Sequence, residues 1–248
     1  MKKLNFMVGL GIIFVVSSIV IYTAHYFIFK DAEFIFRYFI AQLGFLPVNA
    51  LLVTLLISSV LARRAQRERL QKTDILIGAF FSEMGTELLR RLLQADESPA
   101  DELRRELLLD KSWQAEDFAR ARPLLEEHKF KVRFNPQELS ALNDWLRGHN
   151  DLILRILENP ALMEHESFTR MMWAVFHFCD ELRLREDLTR LPRSDQYHIE
   201  HDANRALSAL AGQWVNHMEY TKREYPYLYH IALRTNPFND EIGIQVKE

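Results

Sequence analysis

The sequence predicts a mainly α-helical protein, built as a two-helix transmembrane hairpin followed by a cytoplasmic α-helical bundle. Three observations lead to this fold class. Two long uncharged runs occupy the N-terminal quarter, basic residues flank them, and apolar residues recur at helical spacing through most of the remainder. We therefore divide the chain into a hairpin over residues 1–62, with spans at about 6–28 and 38–62, and a cytoplasmic domain over residues 63–248.

The two uncharged runs are long enough to cross a bilayer. Residues 5–29 and 38–62 are each 25 residues long and contain no Asp, Glu, Lys or Arg. A helix needs about 20 apolar residues to span roughly 30 Å of hydrocarbon. The alternative interpretation is a pair of core helices in a soluble protein, but core helices are rarely this long and this free of charge.

The basic residues around the runs predict the orientation. Lys2 and Lys3 precede the first run, four arginines follow the second, and the link at 30–37 has no net charge. By the positive-inside rule both termini are cytoplasmic, in a bacterial-type inner membrane. A cleaved signal peptide over residues 1–24 is the alternative. The arginines are also candidate contacts for lipid headgroups, and they are Arg63, Arg64, Arg67 and Arg69.

Small and polar residues within the runs predict a contact between the two spans. Asn49 and two serines lie at similar calculated depths, so their side chains are expected to form a hydrogen bond across antiparallel helices. Pro47 predicts a kink. The predicted contact residues are Gly11, Ser17, Ser18, Pro47, Asn49, Ala50, Thr54 and Ser58. The alternative is a conduction path in a small oligomeric channel, although neither run carries a charge at neutral pH.

The cytoplasmic domain is predicted to be a helical bundle. Apolar residues from Ile77 to Leu92 recur at i+3 and i+4 spacing, beside a small-residue face of Gly78, Ser82 and Gly85. Ser98 and Asn135, each followed by Pro, are predicted N-caps. Further helices are predicted at 112–128, 136–158 (perhaps broken at Gly148), 161–188 and 195–234, with a kink at Pro226. Two alternating segments, 130–134 and 242–246, are candidates for a small β-ribbon.

Charge and cysteine content restrict the partners. The whole chain carries −3, and because residues 1–62 contribute +2, the cytoplasmic domain carries −5. This charge argues against a nucleic-acid partner. The expected partners are the lipid bilayer and either a second protein or another copy of the chain. Cys179 is the single cysteine, and its acidic neighbours Asp180 and Glu181 favour a buried structural thiol over a nucleophile.

The sequence contains no recognisable catalytic motif. The eight glycines form no phosphate-binding loop or dinucleotide fingerprint, and no GxSxG or HExxH occurs. We therefore predict no bound cofactor, assign no catalytic residue, and favour a role other than that of an enzyme. Histidines and carboxylates at i+3 and i+4 spacing could converge on a metal in a bundle, and these candidates are His177, Glu181, His198, His201 and Asp202. Solvated helix faces with local salt bridges are the alternative interpretation.

Two segments resemble a group of uncharacterised prokaryotic two-span membrane proteins with a cytoplasmic helical domain. They are IGAFFSEMGTELL at 77–89 and EYPYLYHIALRTNPFN at 224–239. The resemblance implies this architecture and no activity. The favoured function is a membrane-anchored interaction or regulatory module. The alternatives are a membrane-anchored enzyme or metal-binding bundle, and a subunit of a small channel or transporter.

Overall fold

The protein is mainly helical. The computed structural model describes residues 2–160 and 165–239, including their side chains except those of 2–7 and 66–72. The described helices are α1 (Lys2–Phe29), α2 (Ala32–Phe80), a π-helical turn (Phe81–Gly85), α3 (Thr86–Gln94), α4 (Asp101–Glu106), α5 (Ala115–Glu127), α6 (Pro136–Arg147), α7 (Asn150–Leu157), α8 (Glu166–Arg183), a 3₁₀ turn (Leu188–Arg190), α9 (Arg193–Glu224) and α10 (Pro226–Arg234).

The first 65 residues form one compact unit, and residues 66–248 form the other. Val8–Phe29 and Ala32–Ala65 are both long and apolar enough to cross a membrane, and none of their residues is buried within the protein. These two helices therefore leave their apolar side chains outside any protein core, whereas the second unit encloses its own core.

A tight link joins α1 to α2. Lys30 has φ 52°, in the left-handed region that commonly ends helices, and its amide donates to the Tyr26 carbonyl at 2.8 Å. Asp31 then accepts a hydrogen bond from the Phe34 amide at 2.8 Å, which caps the start of α2. The link thus consists of two residues and is shorter than the segment 30–37 predicted from charge.

The core of the second unit is organised around α9. Helices α3, α5, α8 and α10 all pack against it. Small residues such as Ala203 and Ala206 are fully buried along α9, and so are larger ones such as Leu207 and Leu210. Alanines on a buried face let a neighbouring helix approach closely, while the leucines supply most of the apolar area removed from water.

One of the two predicted N-caps is confirmed. The Asn135 side chain accepts a hydrogen bond from the Glu138 amide at 2.8 Å, and Glu138 reciprocates in a capping box. The prediction for Ser98 was wrong, because α4 begins at Asp101 and Ala100 is its N-cap. The Ser98 hydroxyl instead donates to Asp96 at 2.6 Å within the preceding loop.

Breaks in the later helices lie close to the predicted positions. The segment 136–158 is divided between α6 and α7 after Arg147, next to Gly148. The segment 195–234 was predicted to be one helix with a kink at Pro226, but it forms two separate helices. Helix α9 ends at Glu224, and Pro226 begins α10. Proline has no amide hydrogen to donate. At the first position of a helix that hydrogen would have no helical partner, so proline is tolerated there.

The predicted β-ribbon is not supported. Val132 forms an isolated antiparallel bridge with Asp96, and no strand occurs in the described part of the chain. The other predicted segment, 242–246, lies outside the described residues. The alternation in 130–134 still has a physical basis, because Phe130, Val132 and Phe134 are buried. They cover the helical core instead of pairing with a second strand.

A π-helical turn at Phe81–Gly85 interrupts the run from α2 to α3. A β-carbon on Gly85 would lie 2.4 Å from Cε1 of Phe80 and 2.9 Å from Cδ1 of Phe81. Both phenylalanines are buried, so neither ring can move aside freely. The turn therefore requires glycine at this position.

Gly85→Ala is expected to lower the free energy of unfolding by about 1–3 kcal/mol, because the added methyl overpacks a closed core. Gly212→Ala is the matched control inside α9, since a β-carbon at that position would have nothing within 4 Å of it. That substitution is expected to be neutral or to stabilise by up to about 1 kcal/mol. Thermal unfolding of the two variants in detergent measures the difference, and equal melting temperatures would contradict the packing at Gly85.

Candidate functional site

The residues of the predicted span contact are exposed on α1 and α2. Ser17 and Ser18 line a gap with Phe34, Ile35 and Tyr38, near the link between the helices. Asn49 is exposed farther along α2. The remaining predicted contact residues are also exposed or nearly so, and they are Gly11, Pro47, Ala50, Thr54 and Ser58. A contact through these residues remains a prediction.

The predicted headgroup arginines follow the second span within α2. Arg63 and Arg64 are exposed. The side chains of Arg67 and Arg69 lie outside the described part of the structure. A role for these four residues at the lipid surface also remains a prediction.

A histidine–carboxylate cluster forms where α8 packs on α9. His177 and Glu181 are one turn apart on α8, and His198 and Asp202 are one turn apart on α9. Helical residues four apart share a face. Two such pairs on adjacent helices therefore bring four of the five predicted metal-ligand candidates together, while the fifth, His201, is exposed outside the group.

The cluster is centred on one oxygen of Asp202. The Nε2 atoms of His177 and His198 lie 3.3 and 3.4 Å from Asp202 Oδ2. The second oxygen, Oδ1, lies 3.3 Å from a guanidinium nitrogen of Arg205. The nearest atom of Glu181 is 3.6 Å from His198 Nε2. Three nitrogen atoms thus surround a single carboxylate.

Asp202 is deeply buried for a charged side chain. Its side chain is 1% exposed, and among the described residues neither oxygen accepts a hydrogen bond of acceptable geometry. Buried carboxylates normally accept several hydrogen bonds or bind a cation, because desolvation otherwise disfavours the charge strongly. The two histidines are about half exposed, so the group is open to solvent on one side.

Glu181 is held by an arginine at the edge of the cluster. Arg185 donates to Glu181 Oε2 at 2.8 Å, and Arg185 Nε also lies 3.6 Å from Asp195. The hydrogen bond from Arg185 lowers the pKa of the Glu181 carboxyl, and the nearby histidines add smaller effects. Glu181 is therefore a fixed negative charge beside His198.

A cleft of about 690 Å³ lies farther along α9, beside residues 214–221, within the second unit. Its walls come from the end of α2, the π-helical turn, α3, α9 and α10. The lining is mostly apolar or aromatic, and the principal side chains are Ile75, Phe81, Trp214, Met218, Tyr225, Leu228 and Ile231. This volume falls within the range of 300–1,000 Å³ that is typical of small-molecule sites.

The charged groups at the cleft are paired with one another. Tyr220 donates its hydroxyl hydrogen to Asp74, and partial burial raises the pKa of both groups. Arg90 pairs with Glu87 and donates to the Thr235 carbonyl at 3.0 Å. Because these charged side chains already have protein partners, the cleft does not need a charged ligand to balance them.

His217 and Arg90 are two residues of the cleft wall that each have a buried nitrogen without a hydrogen-bond partner among the described residues. The His217 ring stacks on Phe81 with centroids 5.1 Å apart, and its Nδ1 atom has no hydrogen-bond partner among the described residues. Burial lowers the pKa of His217 to about 4. The ring is therefore neutral at physiological pH, and its Nδ1 atom is buried in the wall of the cleft.

Sequence reasoning did not identify this cleft. The sequence predicts a packing face at Gly78 and Ser82, whereas the structure places both residues in the cleft wall, with Gly78 opposite His217. The usable signal was the combination of small residues at 78–85 with aromatic residues late in the chain. The two segments that carry the family resemblance, 77–89 and 224–239, both contribute to this lining.

Two possible nucleophiles are not arranged for catalysis. Cys179 is buried as predicted, and burial together with the Asp180 charge raises the pKa of its thiol to about 12. The Ser98 hydroxyl lies 2.9 Å from His128 Nε2. However, Asp96 accepts from the serine and does not orient the histidine, so these three residues lack the order of a catalytic triad.

Comparison with known proteins gives a family without an assigned activity. Residues 2–61 match the N-terminal helical domain described for MJ1433, and residues 69–234 match the C-terminal helical domain of the uncharacterized protein MJ1433. The chain is 36% identical to uncharacterized protein MJ1433 from Methanocaldococcus jannaschii over 241 residues, covering 97% of this chain and 96% of that protein. No solved structure matches it. The chain therefore belongs to the MJ1433 family of proteins with N- and C-terminal helical domains.

Proposed function

We propose that this protein is a membrane-anchored regulatory module, in which a two-span hairpin holds a ligand-binding helical domain at the cytoplasmic side of a prokaryotic cytoplasmic membrane. The observation that carries the proposal is the exposure of two long apolar helices in a chain whose second unit buries its own apolar residues. Water disfavours such an exposed apolar surface, and a bilayer accepts it.

The predicted orientation follows from the charges near the ends of the hairpin. The N-terminal lysines and the arginines after residue 62 favour the cytoplasmic side. Both termini are then cytoplasmic, and the link at Lys30–Asp31 lies outside. The lone cysteine, Cys179, suits a reducing compartment.

The cleft supports a ligand-binding role for the cytoplasmic domain. Its volume suits a small molecule, its lining is largely apolar, and its charged groups already pair with protein partners. His217 Nδ1 and Arg90 Nε are buried in the cleft wall without hydrogen-bond partners among the described residues. We therefore propose an uncharged, mainly apolar ligand, such as a neutral lipid fragment or a long-chain alcohol.

A channel is less well supported as a role for the hairpin. Two spans form a pore only as an oligomer, and neither span carries a residue charged at neutral pH. Ion and proton paths usually contain such a residue or a carbonyl-lined loop.

Full-length protein is expected to stay in the membrane pellet after alkaline carbonate washing, and to enter solution only with detergent. A fluorescent reporter fused after Glu248 is expected to be active in the cytoplasm, while alkaline phosphatase fused at the same place is expected to be inactive. The matched fusion places alkaline phosphatase in the link after Lys30, where activity is expected. Recovery of the unfused protein in the aqueous fraction would exclude membrane anchoring.

Photolabelling with an uncharged diazirine-bearing fatty alcohol tests the cleft. Adducts are expected in peptides that cover 74–90 and 214–235, as well as in the hairpin. Ser82→Trp puts a large ring into the cleft and is expected to reduce labelling of those peptides severalfold, while hairpin labelling stays constant. Ser208→Trp, at an exposed site on α9, is the matched control. Labelling confined to the hairpin would show that the cleft binds no such ligand.

The stability of the domain is expected to depend on pH through His217. The pKa falls from about 6.5 in the unfolded chain to about 4 in the folded one. The unfolded chain therefore binds more protons between these values, and stability decreases as the pH falls from 6.5 to 4, by up to about 3 kcal/mol. Melting temperatures of the full-length protein in detergent measure this loss.

His217→Gln is expected to flatten that pH profile, because the titrating group is gone. His230→Gln, at an exposed position on α10, is the control and is expected to keep the wild-type profile. A wild-type profile in His217→Gln would mean that His217 does not titrate below its unfolded value.

A further inference from the structure

We infer that His177, His198 and Asp202 form a binding site for a divalent first-row metal ion, and that Zn²⁺ is the ion whose chemistry fits the donors best. The inference concerns the interface of α8 and α9. It depends neither on the ligand cleft nor on membrane anchoring.

The distances from Asp202 Oδ2 to the two histidine nitrogens match the edges of a metal coordination polyhedron. Both histidine Nε2 atoms lie 3.3–3.4 Å from Asp202 Oδ2, and the three ligand atoms all lie within 4.8 Å of one another. Ligands bonded at about 2.0–2.1 Å to a tetrahedral ion lie roughly 3.3 Å apart. The contacts are longer than a good hydrogen bond, for which about 2.7–3.2 Å is typical. An ion bound between Asp202 and the two imidazoles would therefore keep the present separations of Oδ2 from both Nε2 atoms.

The burial of Asp202 provides an independent indication of a cation. Its side chain is 1% exposed, yet neither oxygen accepts a hydrogen bond of acceptable geometry from the described residues. Arg205 lies at 3.3 Å from Oδ1, but its side chain is 54% exposed and its charge is screened by water. Oδ2 faces the two imidazoles and is left free to act as a ligand.

The donor types select the class of ion. Two neutral imidazoles with one carboxylate are typical ligands of Zn²⁺ and of neighbouring first-row ions. Mg²⁺ and Ca²⁺ prefer sets made only of oxygen ligands. An i,i+4 pair of ligands on one helix, completed by a ligand from the facing helix, is also a reasonable way to build a metal site in a helical bundle. Half exposure of both histidines leaves an access path for the ion.

The neighbouring charges have distinct roles in this site. Glu181 lies 3.6 Å from His198 Nε2 and is fixed by Arg185, so it acts as a positioning residue beside the ligands. Its negative charge, with that of Asp202, offsets part of the charge of a divalent ion. Arg205 is the opposing charge, and the ion would compete with it for the carboxylate.

Zinc titration of the full-length protein in detergent tests the inference. The protein carries a tag without histidine and is first freed of metal with a chelator that is then removed. Wild-type protein is expected to bind one Zn²⁺ per chain by isothermal titration, with one zinc retained by elemental analysis after gel filtration. Replacement by Co²⁺ is expected to give the visible absorption of a low-coordinate Co²⁺ ion with nitrogen ligands.

The variants locate the ion. His198→Gln and Asp202→Asn are each expected to weaken Zn²⁺ binding at least about tenfold, and Glu181→Gln about tenfold or less. His201→Gln is the matched control, because His201 lies beside Asp202 in sequence and outside the cluster. It is expected to leave the affinity and the Co²⁺ spectrum unchanged.

Circular dichroism and melting of each metal-free variant show whether it is folded. If Asp202→Asn unfolds, the half-exposed His198→Gln carries the comparison alone. Less than half an equivalent of Zn²⁺ on wild-type protein would overturn the inference. Binding that survives in His198→Gln, or that falls equally in His201→Gln, would also overturn it, because the ion would then lie elsewhere.

Discussion

The burial of the apolar face of α9 is the interaction on which the second unit depends. Helices from both ends of that unit meet on this face, and side chains such as Ile199, Leu207 and Leu210 are completely removed from water. Each such side chain contributes about 1.5–3 kcal/mol on burial. This apolar contribution is large enough to offset the unfavourable burial of two polar groups on the same helix, Asp202 and His217. Both candidate sites are therefore consequences of how tightly α9 is enclosed.

The composition of α9 also determines the spacing of its neighbours. Ala203 and Ala206 follow Asp202 along the helix and are fully buried. Small side chains on a buried face permit close packing of neighbouring helices, and α8 packs on α9 so that His177 lies 3.3 Å from the Asp202 carboxylate. The geometry of the site thus comes from apolar packing as much as from its ligands.

Sequence rules that depend on a few adjacent residues predicted where helices begin and end better than they predicted which segments pack together. The Asn135 cap and the break near Gly148 depend on a few adjacent residues, and both appear close to where the sequence places them. Ser98 does not act as a cap, because its hydroxyl donates a hydrogen bond to Asp96 instead. Residue propensities do not predict which of these hydrogen bonds forms. The β-ribbon failed because alternation in 130–134 shows only that one face is buried, without saying what covers it. The Ser98 prediction was thus overturned by a side chain two residues away, and the β-ribbon prediction by packing against residues distant in sequence.

The same division applies to the candidate sites. Spacing identified His177 with Glu181, and His198 with Asp202, as pairs on single helix faces. Spacing could not predict that α8 and α9 would be neighbours. Nor could it predict that His201 would lie outside the cluster, because positions i+3 and i+4 point in different directions around the helix and only one of them faces α8. The low pKa of His217 was not predictable either, because it comes from desolvation by residues distant in sequence. The functional role of the spans and the metal site remain proposals beyond these geometric results.

The two sites lie far enough apart on α9 to act independently. Asp202 and His217 are fifteen residues apart, which corresponds to about 22 Å along a helix. Substitutions at that separation usually have additive effects on stability. Loss of the metal ion would therefore loosen α8 on α9 without emptying the cleft, and a cleft-filling substitution would leave zinc affinity unchanged.

The position of Glu181 determines what kind of metal site the cluster would be. Structural zinc sites are closed by four protein ligands, whereas catalytic sites keep one position open to water. Arg185 holds the Glu181 carboxylate by a hydrogen bond of 2.8 Å and keeps it at the edge of the group. Three protein ligands would then remain, with the half-exposed histidines on the solvent side. A bound ion would then keep a position open to water, with the Glu181 carboxylate held nearby by Arg185. Among the described residues neither Cys179 nor the Ser98–His128 pair is arranged for catalysis, so chemistry in this domain would have to be built on the metal cluster.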